Sequence, residues 1–162
     1  MFEKEDRPKK KYDKKSAKAK AEHYCAYQER SQQEVRNKLY EWGLFRNEVE
    51  EVISELIGDN FLNEERFAIA YALGKFRMKD WGRVKIRQGL KLKSVSDYCI
   101  RKAIGMIDMD DYEQSLSELI EKKARLIHEK DDFKRKHKLA GYAISRGFEP
   151  DMVWAVLAKK GA

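Results

Sequence analysis

"SQQEVRNKLYEWG", residues Ser31 to Gly43, decides how the rest of the chain is read. Ser31 and Glu34 have the spacing of a capping box, in which the serine hydroxyl accepts from the N3 amide and the glutamate reaches back to the cap. Val35, Leu39 and Trp42 then share one helix face. Gly43 supplies a residue able to turn left-handed and end the helix. The following stretch, "RNEVEEVISELIG", puts Val49, Val52, Ile53 and Leu56 at i, i+3, i+4 and i+7, and Gly58 is expected to close that helix.

The same pattern returns further along. A shift of 51 residues carries Val35 to Ile86, Leu39 to Leu90, Leu44 to Val95, Val49 to Ile100 and Ile53 to Ile104. A shift of 104 residues gives Leu139, Ala143, Gly147, Phe148, Val153 and Leu157, with Val156 beside them. Gly43-Leu44 and Gly147-Phe148 align at the turn, which chance amphipathicity would not readily produce. Ser94 stands where the other copies have glycine, and a left-handed serine costs about 1 kcal/mol relative to glycine.

Each copy also has an upstream helix, expected over Lys18 to Glu29, over Glu64 to Met78 behind an Asn63 cap, and over Asp111 to His128 behind an Asp110 cap. No segment alternates with period two between hairpin turns, so the class is all-α. The reading is three tandem three-helix repeats, at 18–58, 59–107 and 108–162, forming an elongated, curved, right-handed or similar modular array. Residues 1–17 carry Lys4, Arg7, Lys9, Lys10, Lys11, Lys14 and Lys15 with little to bury, and read as a disordered basic tail.

A net charge of +7 on 162 residues favours an anionic partner, and its distribution says more than its total. "KFRMKDWGRVKIRQGLKLK", Lys75 to Lys93, sets Lys75, Arg77, Lys79, Arg83, Lys85, Arg87, Lys91 and Lys93 against Asp80 alone. Arg83, Arg87 and Lys91 recur at i, i+4 and i+8 beside the apolar Ile86 and Leu90, and no acid stands at i+4 from Arg83 or Arg87. Residues 48–65, by contrast, hold seven acids and no lysine or arginine, so the chain reads as electrically polarised. A second basic run contains Lys134, Arg135 and Lys138. Together these residues are the candidate polyanion surface. Trp81 is read as a plug for the corner between helices, with base stacking as the alternative.

Cys25 and Cys99 read as buried thiols, and His23, His128 and His137 show no ligand spacing with them, so no metal or cofactor is expected. There is no Gly-rich phosphate loop and no nucleophile–base arrangement, and a non-enzyme is expected. The charged start and the short apolar run at 67–73 argue for a cytoplasmic protein with no membrane segment. The absence of a long heptad seam argues for a monomer.

"NEERFAIAY" (Asn63 to Tyr71) and "GRVKIRQGLKLKSVSD" (Gly82 to Asp97) together resemble the central signature of the RecX regulatory proteins, bacterial modulators of the RecA recombinase. "KLAGYAISRGFEPDMVWAVL" (Lys138 to Leu157) resembles that family's third repeat, and "SQQEVRNKLYEWGL" its first, so the likeness covers about Ala19 to Leu157. Ser94, Trp81 and the lysine-rich lead-in depart from the family pattern. The resemblance implies a modular protein of DNA repair, recombination and the SOS response. Such a protein lies in the groove of a RecA–DNA filament and suppresses ATP hydrolysis, filament growth and strand exchange. Weak contacts on linked modules would add through effective concentration. It also implies weak, non-specific contact with single- or double-stranded DNA. Two other readings stay open: a helical DNA-binding protein acting without a recombinase, and an adaptor for an acidic protein helix.

Overall fold

The computed structural model describes residues 12–160, and the part of the expected basic tail before Tyr12 lies outside them. Nine helices occupy the described residues: α1 Lys14–Tyr27, α2 Gln32–Glu41, α3 Arg46–Gly58, α4 Glu64–Lys79, α5 Arg83–Leu92, α6 Asp97–Gly105, α7 Met109–Ala124, α8 Asp132–Ser145 and α9 Pro150–Lys159. No strand occurs among them. The all-α class and the repeated helical triplet are therefore as read from the sequence. The residues related by the two shifts are buried in all three copies, apart from the half-buried Ile104 and Val156.

The chain divides into two compact units, one ending at Phe67 and including Lys93–Val95, the other formed by Ala68–Leu92 with Ser96 onward. In the first, Ala17, Ala21 and Cys25 of α1 meet Val35 and Leu39 of α2 and Val49, Val52, Ile53 and Leu56 of α3 in one core. Burying each of the larger side chains stabilises the unit by roughly 1.5–3 kcal/mol. Burial also pushes the Cys25 thiol up to about 11, leaving it an inert thiol in neutral solution. Ser31 and Glu34 make the reciprocal capping box at the start of α2.

Several expected boundaries move. α1 starts at Lys14, capped by the Asp13 side chain, and Ala17 is fully buried, so residues 14–17 are core-forming helix and not tail. That helix ends at Tyr27, two residues before the expected Glu29. α3 runs through Gly58, and the left-handed residue beyond it is Asn60 (φ 64°), whose side chain tolerates that region. α7 is capped by Asp108, which accepts from the Asp111 amide, and not by Asp110; it ends at Ala124, short of His128. Asn63 does cap α4, accepting from the Arg66 amide at 2.8 Å. Ser94 takes φ 61° where Gly43 and Gly147 take 92° and 99°, so the turn is retained at a serine.

In the second unit, the turn after α4 meets the turn between α8 and α9. Asp80 ends α4 in the left-handed region (φ 55°), and the Trp81 amide donates back to the Lys75 carbonyl. The chain then enters α5 without a Ser, Thr, Asp or Asn cap, and residues of the third triplet satisfy its first amides. Gly82 N–H donates to the Arg146 carbonyl at 2.8 Å, Arg83 N–H to the Tyr112 hydroxyl at 3.0 Å, and Val84 N–H to the Gly147 carbonyl at 2.9 Å. The backbones approach so closely that a Cβ at Gly82 would overlap Gly147 and Phe148, and one at Gly147 would overlap Lys85.

Glu149 completes this junction. One carboxylate oxygen accepts from Arg83 Nε at 2.7 Å and from its Nη2, and the other accepts from the Tyr112 hydroxyl. The Arg83 guanidinium also lies over the Tyr112 ring, 4.4 Å from its centre. That ring packs between Phe76 and Phe148, with centroids at 5.8 and 5.1 Å. Desolvation and then the hydrogen bond to Glu149 hold the Tyr112 hydroxyl well above its ordinary pKa, so it remains a donor.

Glu149→Gln, which keeps the shape and removes the charge, is expected to destabilise the chain by about 1.5–3 kcal/mol in urea unfolding, the range for hydrogen bonds to charged groups. A cycle combining it with Arg83→Met should show strong coupling, and additive losses would mean the pair is incidental. Gly82→Ala is expected to cost about 2 kcal/mol or more from overpacking alone, seen as a lower Tm with helix content retained below it.

Candidate polyanion surface

The structure separates the sequence-predicted cations into three groups. Arg83, Arg135, Lys138 and Lys93 are engaged within the fold. Arg83 is paired with Glu149, both side chains being 23% exposed. Burial works against its charge, but the Glu149 hydrogen bond and charge outweigh it and hold its pKa above the ordinary value. Arg135 donates to the carbonyls of Ala124 and Ile127 at 2.7 and 3.1 Å and so finishes the end of α7. Lys138 binds Glu129 at 3.0 Å and Lys93 binds Glu34 at 2.6 Å.

A second group surrounds Trp81. This indole is half-buried and meets Tyr71 edge-on, with ring centres 6.4 Å apart, so it does fill the corner. Its remaining surface carries two ammonium groups, Lys75 Nζ at 4.9 Å and Lys85 Nζ at 4.6 Å from the ring centre. The Tyr71 hydroxyl lies against Gly89, where a Cβ would collide with it. Gly82 and Gly89 of the "GRVKIRQG" stretch are thus both sites of close approach, one to backbone and one to a phenol.

The third group is unengaged. Arg77 and Lys79 at the end of α4, Arg87 and Lys91 on α5, and Lys134 on α8 are exposed and form no side-chain ion pair or hydrogen bond among the described residues. Arg87 and Lys91 lie one turn apart beside the buried Ile86 and Leu90, so they share one solvent face of α5. The surface in the second triplet is therefore smaller than the sequence row suggests. It consists of Arg77, Lys79, Arg87 and Lys91, with Lys75 and Lys85 around the indole.

The acidic stretch of the first unit is not left as a bare counter-pole. Lys14 of α1 binds Glu51 at 2.7 Å and Glu55 at 3.5 Å, Lys18 lies 3.4 Å from Glu55 and 3.3 Å from Asp59, and Arg36 of α2 binds Glu50 at 2.8 Å. The Arg36 hydrogen bond lowers the Glu50 pKa, and the Glu51 hydrogen bond raises that of Lys14. The polarisation read along the sequence is thus partly cancelled in space. Sequence reasoning missed these pairs, and also Glu149 and Tyr112, because the partners stand from 14 to 66 residues apart. The glycines at 82 and 147 were the available hints.

Among the described residues no helix is long and apolar enough to cross a membrane, and no group of His, Cys, Asp and Glu could hold a metal ion.

Three family models match the chain in order: the first three-helix domain of RecX over residues 17–56, the second over 63–104 and the third over 110–157. The regulatory protein RecX of Haemophilus influenzae (strain PittGG) is 32% identical over 127 residues, covering 78% of this chain and 82% of that one. The regulatory protein RecX of Clostridium perfringens (strain 13 / Type A) is 32% identical over 124 residues, covering 75% of this chain. The present chain spans only 58% of that relative's length. The crystal structure of RecX from Lactobacillus salivarius superposes with a TM-score of 0.82 at 21% identity, over 90% of this chain and 95% of that one, and shows the same fold. With all three domains matched in order and nearly a third of the residues shared across most of a relative's length, the chain belongs to the RecX family.

Proposed function

We propose that the chain regulates the RecA recombinase, chiefly as an inhibitor. It would seat in the groove of the RecA–DNA filament and suppress ATP hydrolysis, filament growth and strand exchange. Family membership supports the recombinase as partner. The observation that carries the choice of surface is the sorting of the cations: Arg77, Lys79, Arg87 and Lys91 remain exposed without a carboxylate while neighbouring cations are engaged within the fold. Uncompensated charge on a rigid helix face is what a polyanion or an acidic groove attracts.

In this reading the three repeats, at 18–58, 59–107 and 108–162, act as linked modules of a cytoplasmic monomer, each contributing a weak contact. Arg83, Arg135 and Lys138 leave the contact set, since each is already engaged within the fold. These lysines and arginines address DNA through its phosphates and carry no sequence preference, because they read backbone charge and not base edges.

The test is ATP turnover by the cognate recombinase on single-stranded DNA, titrated with this protein. Arg87→Glu with Lys91→Glu is expected to weaken inhibition about tenfold or more, as charge reversal at an electrostatic contact does, while Tm changes little because both side chains are exposed. Unaltered inhibition by that variant would remove the surface assignment, and no inhibition by the native chain would remove the function. Arg83→Glu should instead lower Tm, which separates the contact residues from the junction.

A further inference from the structure

The two lysines at the Trp81 corner have an unusual relation to each other. Lys75 comes from the last turns of α4 and Lys85 from the first turn of α5, yet their ammonium groups lie 4.9 and 4.6 Å from the centre of one indole ring. Lys75 Nζ is also 5.4 Å from the centre of the Tyr71 ring. Two like charges are thereby held within about one Debye length, ~10 Å, of each other. Neither forms an ion pair among the described residues, and Asp80, the acid of the turn, pairs with neither. The ring attracts each cation through its quadrupole but does not cancel their mutual repulsion. An anion between them would.

We propose that the Trp81 corner binds one nucleotide unit of a single nucleic-acid strand, the phosphate drawing Lys75 and Lys85 off the ring and the base taking the indole surface this uncovers. The inference rests on the second triplet being a nucleic-acid-facing surface, and adds where on it a strand is held and through which base contact.

A nucleotide fits better than a glutamate of a protein partner because it offers an anion and a flat π face one sugar apart. A carboxylate would satisfy the lysines and leave the partly exposed indole unused. Lysine ammonium groups are rotatable point charges, suited to a phosphate in any register, and residues 75–85 contain no asparagine or glutamine to read a base edge. Stacking on tryptophan tolerates any base. Single-stranded rather than duplex nucleic acid is required, since only an unpaired base can leave its stack to meet the ring. The neighbouring Arg77, Lys79, Arg87 and Lys91 would track the adjoining phosphates.

The chain has three tryptophans, so Trp42→Phe with Trp154→Phe leaves Trp81 as the only indole emitter. This variant is titrated with a short oligothymidylate, with heparin as an anion lacking bases, and with polyglutamate as an acidic polypeptide. Saturable quenching by oligothymidylate, weaker or none by heparin and none by polyglutamate, is the expected result. Lys75→Gln with Lys85→Gln should weaken oligothymidylate binding about tenfold and reduce the slope of log K against log salt by about 0.7, the value for one single-strand phosphate.

Equal quenching by polyglutamate would replace the nucleotide with an acidic protein, and equal quenching by heparin would remove the base contact. A salt slope unchanged by the lysine variant would also overturn the proposal. If the double phenylalanine variant does not fold, native protein compared with Trp81→Phe gives the same difference signal. The recombinase reading is tested separately. Inhibition of ATP turnover without Trp81 quenching would sink this inference alone, and quenching without any effect on the recombinase would sink that reading alone.

Discussion

The entry to α5 is the constraint on which the second unit depends. A helix start leaves amides that must find acceptors, and here the sequence places Gly82 where a capping side chain would normally stand. The acceptors come from the third triplet instead: the carbonyls of Arg146 and Gly147 and the hydroxyl of Tyr112. Since no atom of the second triplet substitutes for them, α5 is properly terminated only when the turn after α8 is in place. The glycines at 82 and 147 permit that approach, and Glu149 fixes it by joining Arg83 to Tyr112.

This arrangement changes what the basic stretch is for. Arg83 is chemically the same residue as Arg87 and lies one turn from it on the same helix, but one is 23% exposed and bound to Glu149 while the other faces solvent. The first cation stabilises the junction and the second forms no ion pair among the described residues. A similar division separates Arg135, which finishes α7, from the exposed Lys134 beside it. Helical periodicity puts Arg83, Arg87 and Lys91 in one row, and the third triplet removes one end of that row.

Left-handed residues show how loosely a repeat needs to be copied. Gly43 and Gly147 end their helices at φ values that glycine adopts without strain, Ser94 adopts the same region at a local cost of about 1 kcal/mol, and Asn60 and Asp80 have side chains that tolerate it. The buried residues after these turns, Leu44, Val95 and Phe148, repeat more faithfully than the turn residues do. Burial of a large side chain outweighs one strained dihedral pair.

Fold class, the repeat register and most core positions were legible in the sequence, because apolar spacing and turn position are local and the same face must be buried in every copy. The capping box at Ser31 and the Asn63 cap were legible for the same reason: donor and acceptor lie three residues apart. Helix ends were less so, as Asp110 was expected to cap α7 and the structure uses Asp108 two residues earlier. The pairing of charges could not be read at all. Lys14 with Glu51, Arg83 with Glu149 and Lys93 with Glu34 are separated by 37, 66 and 59 residues, and Coulomb attraction depends on distance in space. Which cations remain exposed without a carboxylate partner among the described residues was therefore decided by the tertiary structure alone.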